Sequence, residues 1–137
     1  MFNKHYAGAG FTLIELLVTI AIVAILSTLA YPGYQSFITK SRRGEAAREL
    51  LDFAAGMERY YANNGSSYKD ASAQHVMGTS HTEHGYYGLS VTLSNAGQSY
   101  VLTATAAGIQ AGDSACPSFT LTSNGKKGPP ATVAQCW

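Results

Sequence analysis

Glu15 is the only charged residue between Phe11 and Tyr31, in a run otherwise built of Leu, Ile, Val, Ala and a few hydroxyl residues. A carboxylate in bilayer hydrocarbon costs about 2–3 kcal/mol at the centre and less near an end, so it calls for protonation or a cationic partner. Were the chain cut between Gly10 and Phe11, the new α-ammonium would stand about one helical turn from Glu15, able to pair with it in the same chain or in a neighbour. The second candidate is the pair Cys116 and Cys136, the only two cysteines, with no Cys, His or Asp at zinc-ligand spacing beside them. A disulfide is the simplest reading, two unrelated free thiols the other. Closing such a loop restricts the unfolded chain by roughly 3 kcal/mol and places the residues around it in an oxidising compartment.

Three further groups invite chemistry. His81 and His84, with His75 nearby, would meet over a metal only if that stretch were helical, and the Gly, Ser and Thr around them read instead as a surface loop. Asp113 and Ser114 with a histidine would serve a hydrolase, but no nucleophile elbow or ordered triad motif accompanies them, so no enzyme is expected, and no cofactor. Lys126 and Lys127, in a turn rich in Gly and Pro, are a candidate DNA contact with Trp137 or a tyrosine offering stacking; the plainer reading is a solvated loop.

The elements that must carry these residues follow from the distribution of apolar side chains. The 137 residues are 46% hydrophobic and 12% charged, with nine Lys+Arg against eight Asp+Glu. That balance excludes a disordered tail or a polybasic arm and removes the general electrostatic argument for nucleic-acid binding. The Phe11–Tyr31 run, at 1.5 Å per helical residue, reaches about 30 Å, the thickness of a bilayer's hydrocarbon core. Ahead of it Lys4 and His5 are the only basic residues, which predicts an N-in, C-out topology. An ordinary secretory signal cut at Thr28-Leu29-Ala30 is the alternative, opposed by the length of the run and by Glu15.

The stretch Ala9-Gly10-Phe11-Thr12-Leu13-Ile14-Glu15-Leu16 resembles the class III signal of type IV pilins and their pseudopilin relatives. The resemblance implies that a prepilin peptidase removes residues 1–10 after Gly10 and methylates the amine of Phe11. It also implies that Glu15 is the assembly carboxylate, and that residues 11–33 persist as a transmembrane and assembly helix. Pro32-Gly33 predicts a break or bend there, by loss of an amide donor and by weak helix propensity. Beyond it lies the head, residues 34–137. From Phe37 to Tyr61 the positions Ala46, Leu50, Phe53, Met57 and Tyr60/Tyr61 recur at three and four residues, an amphipathic helix ending near residue 62. Arg42-Arg43 on it reads as a basic collar beyond the bilayer or, more plainly, as a solvated helix face.

Residues 63–85 show turn formers and no sustained period, the place of the pilin αβ loop. Alternation over 86–93 and 100–105 about Asn95-Ala96-Gly97 predicts a hairpin, and 118–122 a third strand before a 126–130 loop. The fold class expected is therefore α+β, one long helix packed on three or four antiparallel strands between residues 86 and 123. In its order of parts the head is similar to type IVa pilins, nearest to PilE-like minor pilins. Residues 116–136 would then be the disulfide-bounded region exposed on a filament. The implied function is a structural pilus subunit in a homo-polymer or mixed filament, reached through an inner-membrane form with a periplasmic head and the inner-membrane assembly machinery. Alternatives are a type II secretion pseudopilin or a DNA-binding competence pilin. The calcium that secretion pseudopilins often bind would need clustered acids, whereas Asp70, Glu83 and Asp113 are widely separated.

Overall fold

The computed structural model describes residues 10–129 and 133–137; apart from Gly10, the expected leader lies outside them. Two compact units are distinguished, Met1–Ser36 and Phe37–Trp137. Helix α1, Leu13–Asn63, contributes to both.

In the first unit α1 is apolar and exposed, from Leu13 at 77% through Val18 at 50% to Leu29 at 76%. It is long and apolar enough to cross a membrane. The hydroxyls in it are turned onto the helix's own carbonyls, Thr19 Oγ1 to Glu15 O, Ser27 Oγ to Val23 O and Thr28 Oγ1 to Ile25 O, each at 2.7 Å. Such back-bonding keeps polar atoms paired where no water is at hand. The break expected at Pro32-Gly33 is not found as an interruption, because α1 is helical through both residues. Proline removes one amide donor from the ladder, and the turns on either side supply the remaining bonds.

In the second unit the buried stripe of α1 is Ala46, Leu50, Phe53, Gly56 and Met57, the three-and-four spacing that places residues on one helix face. Four antiparallel strands run in sequence order: β1 (Tyr87–Ser94), β2 (Ser99–Ala106), β3 (Ser118–Thr122) and β4 (Lys127–Gly128). Tyr87 pairs with Ala106 and Leu89 with Ala104 across β1 and β2; Leu102 pairs with Leu121 and Ala104 with Phe119 across β2 and β3. The period of two puts Tyr87, Leu89, Tyr100, Leu102, Ala104, Phe119 and Leu121 in one buried layer with the helix stripe. Burying each large side chain stabilises the fold by about 1.5–3 kcal/mol, and neither the helix nor the sheet can cover its apolar face alone.

Two short helices depart from the expected loops. Helix α2, Ala73–Met77, is capped by Ser72, whose Oγ accepts from His75 N, and ends on Gly78 at φ 74°. It lies so close to α1 that a Cβ added to Gly56 would stand 2.6 Å from Val76 Cγ1, which gives that glycine its reason. Helix α3, Val133–Cys136, carries the second cysteine. The predicted 126–130 loop also contributes β4, paired to β3 through Thr120↔Gly128 and Leu121↔Lys127.

Candidate functional site

The first site is the beginning of α1. Gly10 and Phe11 precede the helix and are exposed. Thr12 caps it, its Oγ1 accepting from Glu15 N at 3.3 Å, and Glu15 sits in the first turn. The spacing Thr12-x-x-Glu15 is that of a capping box, and a carboxylate in the first turn also meets the positive end of the helix dipole. That is a local reason for an acid at this position, and the Thr12-x-x-Glu15 spacing is the sequence signal for it. It leaves the carboxylate oxygens exposed at the tip of an apolar rod, where a cation from outside the helix can reach them.

The second site is the β3–β4 hairpin. Its turn is tied by Thr122: Lys126 N donates to Thr122 Oγ1 at 3.0 Å, and Thr122 N donates to Lys126 O at 3.0 Å. Lys126 and Lys127 are both exposed. Lys127 Nζ stands 4.6 Å from the centre of the Trp137 ring, whose edge-on neighbour on the buried side is Phe119, centroids 5.5 Å apart. Trp137 Nε1 donates to Gly128 O at 3.4 Å. The stacking surface expected of Trp137 is thus already engaged by a lysine. The expected disulfide is formed, Cys116 to Cys136 with Cα atoms 5.7 Å apart, and both residues are buried.

Between the helix and the disulfide lies a polar clamp with no counterpart in the sequence reading. Arg43 is 8% exposed, neither a collar nor a solvated face. Its Nε and Nη2 donate to the two oxygens of Asp113 at 2.7 Å each, and its Nη1 donates to Gln135 O at 3.3 Å. Buried Gln110 donates to Asp113 Oδ2 at 2.9 Å and to the Tyr87 hydroxyl at 3.3 Å. Hydrogen bonding to Arg43 holds the Asp113 carboxyl below its ordinary range despite burial, and the same bond raises the Arg43 guanidinium. Arg42 lies over the Tyr86 ring at 4.6 Å. Asp113 is therefore a structural anion. A second anchor is Glu58, itself exposed, which accepts from the hydroxyls of buried Tyr68 at 2.9 Å and buried Tyr100 at 3.0 Å. Burial first, then the Glu58 carboxylate, pushes the Tyr68 phenol up to about 12 and raises that of Tyr100.

The histidines are held apart on different partners. His75 lies on α2 against Asp70 O at 3.3 Å, His81 pairs with Gly88 in an isolated bridge, and His84 Nδ1 meets Glu45 Oε2 at 3.1 Å. Glu45 and Glu49, one turn apart on α1, escape mutual repulsion because each accepts a loop amide, His84 N at 3.3 Å and Glu83 N at 2.7 Å.

Residues 32–120 match the family described as type IV minor pilin ComP, DNA uptake sequence receptor, and residues 8–31 match the prokaryotic N-terminal methylation motif. Fimbrial protein EcpC of Eikenella corrodens is 38% identical over 96 residues, 70% of this chain and 61% of that protein. The type IV major pilin PilE of Neisseria gonorrhoeae is 38% identical over 71 residues, 52% of this chain and 42% of PilE. Both alignments span less than two thirds of the relative's length. A solved type IV pilin from Shewanella oneidensis superposes with a TM-score of 0.54 at 25% identity, covering 72% of this chain and 97% of that one.

Proposed function

Because the chain belongs to the ComP family of type IV minor pilins, we propose that it is a structural pilus subunit, held in the inner membrane by the first half of α1 and then packed through that same half into a filament. The observation that carries this reading is the exposed apolar run from Phe11 to Leu29 with Glu15 at its tip. An exposed surface of that extent belongs in lipid or against other helices. Assembly exchanges the first environment for the second. Cleavage after Gly10 by a prepilin peptidase supplies the amine of Phe11 for methylation, a reading supported by the match of residues 8–31 to the N-terminal methylation motif, and that amine in a neighbouring subunit is the counter-charge that sets Glu15 in register. The head then faces the periplasm before assembly and the outside after it.

Glu15→Ala tests this. Membrane insertion is expected to be unchanged, while the amount of this chain recovered in sheared filaments falls about tenfold or more, the effect of losing a charge partner in an apolar setting. Unaltered incorporation would remove Glu15 from assembly.

Membership of a family described as DNA uptake sequence receptors supports a second reading, that the head contacts DNA. Lys126 and Lys127 are the exposed cations of the β3–β4 hairpin and the residues we assign to phosphate. With full-length protein in detergent micelles, a Lys126→Ala/Lys127→Ala variant is expected to bind duplex DNA more weakly, its log–log salt slope flatter by about 2. Equal slopes would exclude these lysines as phosphate contacts.

A further inference from the structure

We infer that Trp137 is a positioning residue for Lys127, fixing its ammonium where a phosphate can meet it; the inference rests on the DNA reading above and names what orients that contact. Strand β4 is only Lys127–Gly128, paired to β3 at two positions. So short a strand at a sheet edge frays unless something else holds it. Trp137 does so by bonding to β4 while it is itself fixed against β3 and the preceding helical turn. Its Nε1–H is on Gly128 O at 3.4 Å, its ring meets Phe119 edge-on at 5.5 Å, and its backbone N donates to Val133 O at 3.0 Å. The neighbouring Cys136 is bonded to Cys116, two residues ahead of β3, so the indole is tied to the same sheet by a covalent route. At Gly128 an added Cβ would stand 2.8 Å from Thr120 Oγ1, so a side chain here would displace the Thr120 hydroxyl.

The Lys127 ammonium lies over the indole at 4.6 Å. A lysine so placed keeps its donors toward solvent while its four-carbon stem loses freedom before any ligand arrives. Preorganisation of this kind lowers the entropy cost of binding without a new contact to the ligand. Lys126, one residue earlier, has no aromatic partner among the described contacts and serves as the internal control.

The test uses the full chain in detergent micelles, with disulfide formation verified by mass and folding by circular dichroism for each variant. In Trp137→Ala, acylation of Lys127 by an N-hydroxysuccinimide ester, read by peptide mass spectrometry against Lys126, is expected to rise about two- to fivefold, the range set by a cation–π contact. In Trp137→Phe, which keeps a ring and loses the Nε1–H, the rate stays near wild type. Trp137 is the single tryptophan of the 137 residues, so its emission reports on the contact directly. Lys127→Ala is expected to shift that emission without DNA, and to abolish the further change that a short DNA duplex produces in the wild type. Duplex affinity is expected to fall about two- to fivefold in Trp137→Ala and to be rescued in Trp137→Phe. Unchanged Lys127 reactivity in Trp137→Ala, or unchanged emission in Lys127→Ala, overturns the positioning role. Altered reactivity with equal duplex affinity in wild type and Trp137→Ala overturns its relevance to binding. A wild-type chain that binds no duplex overturns instead the DNA reading on which the inference rests.

Discussion

Asp113→Ala is expected to destabilise the head by about 3–5 kcal/mol, the cost of leaving a buried charge without its partner. The side chains of Arg43 and Asp113 are 10% and 6% exposed and meet through two bonds of 2.7 Å. Removing the carboxylate strands the guanidinium against the disulfide region and also takes an acceptor from Gln110. The pair as a whole contributes far less than this, because desolvation of both charges opposes their attraction. An Arg43→Met/Asp113→Leu double variant is therefore expected to recover most of the loss, and with the Arg43→Met and Asp113→Leu single variants it closes a cycle that separates pair energy from stranded charge. Asp113→Asn keeps an acceptor and falls between. The pH dependence has a fixed sign. Asp113 is held below its unfolded value near 4, so its contribution is complete above that value and disappears as pH falls through the lower folded one. Urea unfolding of the full chain in micelles, followed by near-ultraviolet circular dichroism, measures all of this. Midpoints shifted by less than about 0.5 kcal/mol in Asp113→Ala would mean that water or relaxation satisfies Arg43.

That clamp also marks where a reading from sequence stops. The helix stripe at Ala46, Leu50, Phe53 and Met57 and the alternation Tyr87–Leu89 and Tyr100–Leu102–Ala104 are local patterns, so the α+β architecture and its register are visible in windows of a dozen residues. Gly10, Phe11 and Glu15 are likewise contiguous, and their candidacy needs no fold. Arg43 and Glu58 lie outside the reach of such reasoning. By type and neighbours each belongs to the charged side of an amphipathic helix; a partner 70 residues away reverses that for Arg43, while Glu58 stays exposed and gains a partner 42 residues away, at Tyr100, that no local pattern announces. Helix α2 spans five residues and β4 two, less than either period requires to declare itself. The lysine pair occupies a middle ground: its turn is legible from Asn124-Gly125, but that Lys127 rests on Trp137 depends on the path of the chain after the hairpin.

Cys116→Ser/Cys136→Ser is expected to cost about 3 kcal/mol, with a further loss confined to the residues beyond β4. The bond closes a segment with a sequence separation of 20, and the unfolded chain freed by its removal gains the entropy of that loop. The native side matters as much here, because the second cysteine belongs to a four-residue helix that cannot persist on its own hydrogen bonds. Its removal unfastens Trp137 from Phe119 and Gln135 from Arg43 in the same step. Either single serine variant is therefore expected to lose as much as the double, since one sulfur alone closes nothing. A coupling with Asp113→Ala is expected as well: Gln135 O is the guanidinium's other acceptor, so the two losses share a partner and do not add. The full chain, oxidised and reduced, unfolded in urea alongside the three serine variants, Asp113→Ala and the triple Cys116→Ser/Cys136→Ser/Asp113→Ala variant, supplies every corner of the comparison. A double serine variant within about 0.5 kcal/mol of wild type would show that packing of Trp137 and the Arg43 clamp hold this region without the covalent link. A strictly additive triple variant would place the clamp and the disulfide in separate cooperative units.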